Sequence, residues 1–197
     1  MLKFKPRSGL EQIEEYKVTT VPDADIIVNA NETNWPLAPS VINKIKAKLG
    51  NFAFNRYPPM HAESMCQVLA QGLRVDPDTI VLGNGSSELL EKACYAFGGI
   101  GRKIAFPYPS FSMYQEYTQL ANSIPAPYAL TRDGYVDGEG VIEFCRKEKP
   151  ALLIICNPNN PTGNYTPLTV LEKILANVEC PVIMDEAYME FVDPEDK

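Results

Sequence analysis

The chain is short of histidine, of positive charge and of long apolar runs. It holds a single histidine, His61, and its five cysteines at 66, 94, 145, 156 and 180 include no CxxC pair. A structural zinc site needs clustered thiolate or imidazole ligands, so no metal is expected. Lysine and arginine number 18 against 25 acidic residues, a net charge of −7, and the basic residues form no cluster. That balance argues against nucleic acid or an anionic membrane as a partner. No apolar run approaches the length that crosses a bilayer. The first residues, MLKFKPRSGLEQIEEYKV, are charged and lack the apolar centre of a signal peptide. The five thiols read as reduced and mostly buried, which suits a cytoplasmic protein.

What is present is an alternation. Residues 1–38 are irregular and rich in proline and asparagine, and read as an N-terminal arm. Beyond them the apolar spacing predicts helices over 40–50, 61–73, 86–98, 110–122, 138–148 and 166–178. Short apolar runs predict strands over 79–84, 103–109, 123–130, 151–156 and 181–185. NRYPPMH, residues 55–61, reads as a loop. Strands alternating with amphipathic helices build βαβ units, so the fold class is α/β with a mostly parallel sheet. No internal repeat and no low-complexity segment interrupts it.

In such sheets ligands bind beyond the carboxyl ends of the strands. Three polar motifs fall there: GNGSSE (83–88), NPNNPTGN (157–164) and DEAY (185–188). GNGSSE places Gly85, Ser86 and Ser87 at a helix start, where free N–H groups and hydroxyls attract a phosphate; the plain alternative is a serine-capped turn. Asp185 ends an apolar strand. A carboxylate there needs a cation or several donors, whether a cationic ligand atom or merely a cap or a salt bridge. NPNNPTGN packs two prolines, a glycine and four asparagines into eight residues, more than a turn requires. Together the three motifs suit one cofactor, pyridoxal 5'-phosphate. It offers a phosphate, a phenolic oxygen and a ring nitrogen that must stay protonated. Asp185 would hold that proton, and an Asn amide and Tyr188 would bond the phenolic oxygen.

Read in order, NANET (29–33), NRYPP, GNGSSE, PYPSFSMY, NPNNPTGN and DEAYMEF resemble the fold-type I pyridoxal-phosphate-dependent aminotransferases, and within them the histidinol-phosphate aminotransferase family. The resemblance covers about Tyr16 to Phe191 and implies a truncated α/β/α large domain over 39–197. It implies that Asn160 bonds the phenolic oxygen and that the Asn160–Pro161 bond is cis. Asp185 is implied to face the pyridine nitrogen and Tyr188 the phenolic oxygen. Phe111 would stack on the ring, and Gly85, Ser86 and Ser87 would hold the phosphate. Tyr57 would reach the cofactor phosphate of a neighbouring subunit in a homodimer, and Tyr16 and Asn31 would contact the amino-acid substrate.

Without the resemblance, Phe111 and Tyr114 read as helix core, Tyr57 as loop packing, Tyr16 as a solvated side chain and His61 as a surface residue opening a helix. Glu186 and Glu190 read as orienting or structural. Ser87 departs from the aspartate that many relatives carry, and NETNWPLAPS is longer than the usual segment.

The implied activity is transamination between histidinol phosphate and 2-oxoglutarate in histidine biosynthesis, with small amino acids and oxo acids as partners. Two alternatives stand beside it: a pyridoxal-phosphate decarboxylase of a phosphorylated amino acid, and a non-catalytic fragment acting as a binding module. The family's catalytic lysine lies roughly thirty residues past the DEAY aspartate. Lys197 is too near Asp185 to fill that role. The C-terminal small domain is likewise expected to be absent from these 197 residues, and the chain alone to be inactive.

Overall fold

The computed structural model describes residues 7–10, 13, 26–33, 35–193 and 195. They fall into two compact units, one spanning 14–82 and the other 1–13 with 83–197.

Among its described residues the 14–82 unit carries two α-helices. Helix α1 (Pro39–Leu49) opens on a proline, which suits the first turn because its missing N–H would have had no partner there. It ends on Lys46 and Lys48, complementing the negative end of the helix dipole. Helix α2 (Glu63–Leu73) buries Cys66 and Ala70. The Cys66 thiol donates to the carbonyls of His61 and Ile80, at 3.3 and 3.8 Å. His61 lies just outside the helix it was expected to open, because Ala62 takes a left-handed conformation that breaks the turn. Described residues 26–33 and 35–38 form neither helix nor strand and are exposed.

One expected strand is absent. Residues 79–84 form no ladder; a short 3-10 turn over Pro77–Thr79 precedes them and Val81 is 72% exposed. β-branched content marks a segment able to pair, but a strand exists only where a neighbour supplies the ladder. Among the described residues none does.

The larger unit is a three-layer α/β/α sandwich. Helix α3 (Gly85–Phe97) leads to β1 (Lys103–Tyr108), α4 (Met113–Leu120), β2 (Ile124–Ala129), α5 (Gly138–Glu148), β3 (Leu152–Cys156), α6 (Leu168–Leu175) and β4 (Val182–Asp185). Among the described residues the sheet has four parallel strands in the order β2-β1-β3-β4. β3 lies inside and is buried along its whole length. Its alternation divides the core. Leu152, Ile154 and Cys156 join Leu90, Cys94, Phe106, Tyr114 and Tyr117 on the α3–α4 face. Leu153 and Ile155 join Val141, Ile142, Cys145, Leu171 and Ile174 on the α5–α6 face. Each such aliphatic side chain contributes about 1.5–3 kcal/mol on burial.

Proline shapes this sheet at two places. In β2 the amides of Ile124 and Leu130 point to β1, donating to Arg102 and Tyr108. The intervening odd positions therefore face the outer edge, and Pro125 and Pro127 sit there without a donor. That edge is closed to a further strand. In β1 the pairing with β3 runs only through Ile104↔Leu152 and Ala105↔Leu153, whereas pairing with β2 continues to Tyr108↔Ala129. Pro107 stands just past the end of the β1–β3 ladder and has no N–H to extend it. The chain steps from β1 out to β2 and then back across to β3, so the sheet order reverses at this same junction. A crevice opens at the carboxyl ends of the strands there.

Candidate functional site

The loop leaving β3 is held by its own asparagines. Asn157 is fully buried; its Oδ1 accepts from the Thr166 amide at 2.7 Å and its Nδ2 donates to the Thr166 carbonyl at 3.1 Å. One side chain thus closes the loop at its base. Asn159, also buried, ties the loop across to the end of β1. Its Nδ2 donates to the Pro109 carbonyl at 3.2 Å and to Thr162 Oγ1 at 3.0 Å, and its Oδ1 accepts from Ser110 Oγ at 2.6 Å. The Gly163 amide donates to the Asn159 carbonyl at 2.7 Å, with Gly163 at φ +73°. A second glycine admits the neighbouring turn. Gly134 is at φ +86°, and a Cβ there would stand 2.7 Å from Asn164 Oδ1. The Asn160–Pro161 bond is cis as expected, and Tyr108–Pro109 and Asn157–Pro158 are cis as well.

With Asn157 and Asn159 engaged in the loop, Asn160 faces a cavity of about 160 Å³. Its wall comprises Ser86, Ser87, Phe111, Cys156, Asn160, Asp185, Ala187 and Tyr188. Residues distant in sequence meet here because β1, β3, β4 and the start of α3 all end on the same crevice. Gly85, at φ +77°, begins α3 immediately before the two serines. Asn84 makes no side-chain cap on α3. Glu88 instead reaches back to the Asn84 amide at 2.5 Å and receives Lys92 from the next turn. The Asn84 amide, and then Lys92, hold the Glu88 carboxyl below its ordinary range.

Asp185 is 8% exposed. Its Oδ2 accepts from the Tyr114 hydroxyl at 2.7 Å and its Oδ1 from the Ala187 amide at 3.2 Å. Tyr114 is fully buried, and burial, reinforced by Cys156 and Asp185, pushes its phenol far above the usual range. It therefore stays protonated and remains a donor. Phe111 meets Tyr114 edge-on, with ring centroids 5.5 Å apart. The Tyr188 ring is tilted against Phe191 at 6.4 Å. The Cys156 thiol is pushed up by burial and donates to the Pro158 carbonyl at 3.4 Å.

Ser86, Ser87, Phe111, Asn160, Asp185 and Tyr188 are thus brought together. Tyr57 and Asn31 belong to the 14–82 unit; Tyr57 is fully exposed and Asn31 is in the left-handed region at φ 55°. Tyr16 lies outside the described residues, as does Lys197. Glu186 and Glu190 are exposed. Sequence reasoning left Tyr114 as core and did not single out Cys156. The available signal was the spacing: Phe111 precedes α4 and Tyr114 lies three residues on in its first turn, close enough for the two rings to meet, so a ligand-facing Phe111 brings Tyr114 behind it.

The chain matches the family described as aminotransferase class I and II over residues 25–196. It is 34% identical over 191 residues to the histidinol-phosphate aminotransferase of Thermoanaerobacter sp. (strain X514), covering 97% of this chain and 54% of that protein. It is 36% identical over 178 residues to that of Clostridium novyi (strain NT), covering 90% and 48%. The crystal structure of histidinol-phosphate aminotransferase from Sinorhizobium meliloti in complex with pyridoxal-5'-phosphate superposes with a TM-score of 0.77 at 24% identity, covering 85% of this chain and 45% of that one. The chain spans about half the length of the curated relatives it matches. Among the described residues no helix is long and apolar enough to cross a membrane.

Proposed function

This chain belongs to the class I and II aminotransferases, and from that premise we propose that it carries the pyridoxal 5'-phosphate site of an enzyme exchanging an amino group between histidinol phosphate and 2-oxoglutarate, a step of histidine biosynthesis. The observation that carries this reading is the donor set around one cavity: two hydroxyls at a helix start, an amide, a phenol, an aromatic ring and a buried carboxylate. These groups fit the cofactor's chemistry one for one. Pyridoxal phosphate, when bound, supplies an electron sink for bond breaking at the amino-acid α-carbon.

The chain's residues bind and tune. Ser86, Ser87 and the backbone N–H groups from Gly85 onward bind the phosphate, helped by the positive end of α3. Asp185 holds a proton on the ring nitrogen, because its charge favours the protonated form and its burial strengthens the attraction. Asn160 and Tyr188 hydrogen-bond the phenolic oxygen. Phe111 covers a ring face and keeps water from it. Tyr16 and Asn31 contact the amino-acid substrate.

The enzyme acts as a homodimer in which Tyr57 serves the cofactor phosphate of the neighbouring subunit. Exposed Trp35, Phe52, Phe54, Tyr57 and Met60 on the 14–82 unit support such an interface. A cytoplasmic location is supported by five free thiols.

Among the described residues no lysine lines the cavity, and we propose that these 197 residues bind the cofactor without turnover. The test is an assay of the full-length protein, using histidinol phosphate and 2-oxoglutarate beside tyrosine and phenylalanine as competing donors. Histidinol phosphate should be preferred; a clear preference for either aromatic donor would overturn the substrate. Robust turnover by the purified 197 residues, free of host enzyme, would overturn the proposed lack of turnover.

A further inference from the structure

At the opposite end of the sheet from the cofactor cavity lies a recess of about 310 Å³. It is bounded by the last turn of α5 and by the segment that runs from α6 into β4. Two thiols share its wall. Cys145 is buried in the core beneath α5, and Cys180, partly exposed, stands two residues before β4. Both line the recess, and Cys180 packs against the buried cluster that contains Cys145. Arg146 and Lys149 line the same recess, opposed by Glu179. The reading of the cofactor site uses none of these residues.

We propose that Cys145 and Cys180 form a thiol–disulfide exchange site, with Cys180 as the attacking sulfur, Cys145 as the resolving one and a low-molecular-weight anionic disulfide as the substrate. The roles follow from placement. Cys145 sits in the last turn of α5, at the negative end of the helix dipole, which opposes a thiolate there. Cys180 is the more exposed of the two and shares its recess with two cations. The neighbouring Cys145 thiol holds the Cys180 thiol below its ordinary range, while the Cys180 thiol and burial push Cys145 up.

The exchange balances without any other reactant. The Cys180 thiolate attacks one sulfur of RSSR; an S–S bond forms to RS, and the other RS⁻ leaves and takes up a proton. Cys145 then gives its proton to solvent and attacks Cys180 Sγ, expelling the second RS⁻, which is protonated in turn. Two protein thiols are oxidised to one disulfide and RSSR is reduced to two RSH.

The test incubates the reduced chain with glutathione disulfide near neutral pH and reads intact mass and non-reducing peptide maps. The expected product has lost two hydrogens and links Cys145 to Cys180. C180S should prevent the link, and C145S should leave a stable glutathione adduct on Cys180. If either variant fails to fold, limiting alkylation of the native chain still decides: Cys180 should be labelled at least several-fold faster than the buried Cys66, Cys94 and Cys156. A chain that keeps all its thiols, a link involving another cysteine or another molecule, or labelling of Cys180 no faster than of the others would overturn the proposal.

Discussion

The Tyr114 hydroxyl donates a 2.7 Å hydrogen bond to Oδ2 of Asp185, and both residues are buried. This bond joins helix α4 to the end of β4 across the α3–α4 face of the sheet. It gives the Asp185 carboxylate a fixed direction beside the cavity and replaces water that burial removed. A hydrogen bond to a charged group contributes about 1.5–3 kcal/mol. Tyr114→Phe keeps the ring and deletes only that donor. It should lower stability in urea by about 1–3 kcal/mol and weaken pyridoxal-phosphate binding. Unchanged stability together with unchanged cofactor affinity would show that the bond has no such role.

Asp185→Asn should leave the fold intact, because the amide oxygen can still accept from Tyr114. It removes the charge that is proposed to hold the ring-nitrogen proton. In the full-length protein, turnover should fall by on the order of 10²-fold or more. Circular dichroism and a steady-state assay on the same preparation check this together. Activity within a few-fold of the parent would refute the assignment.

The asparagines of the loop should separate by role. Asn157→Ala deletes both bonds to Thr166 and leaves buried backbone groups without partners, so a loss of about 1–3 kcal/mol is expected. Asn160→Ala should change stability little and cofactor affinity substantially. Urea melts paired with cofactor titrations distinguish the two. The reverse pattern would mean that Asn160 is structural.

The two edges of the sheet differ, and their difference predicts association. Pro125 and Pro127 close the β2 edge. At β4 the odd residues face β3, as the Leu153–Pro181 and Asn157–Asp185 bonds show, so the groups of Val182 and Met184 point outward. No proline interrupts that edge within Val182–Asp185, and its three apolar residues are only half-buried. An open apolar edge invites another strand. The isolated 197 residues should therefore self-associate with rising concentration, and light scattering over a dilution series reads this directly. A monodisperse monomer with a cooperative melt would show the edge to be harmless.

Much of this was legible in the residues themselves. Helical spacing and β-rich runs located α1 to α6 and β1 to β4 closely, because burying one helical face or a whole strand imposes a local period. The parallel α/β class followed from the alternation. GNGSSE, NPNNPTGN and DEAY marked one pocket by their residues alone, since such polar, turn-rich clusters beside apolar runs are costly without a purpose. Local pattern failed where a partner decides. Residues 79–84 carry strand-forming side chains, but no neighbour among the described residues gives them a ladder. Tyr114 looks like core because it is core; only packing turns its hydroxyl toward Asp185. The division of labour among Asn157, Asn159 and Asn160 is likewise tertiary, since identical amides differ only in which backbone groups come within reach. The meeting of Cys145 and Cys180 at one recess has no local signal at all. It exists because α5 and the approach to β4 pack on the same face of the sheet, and sequence spacing carries no record of which distant side chains such packing brings together.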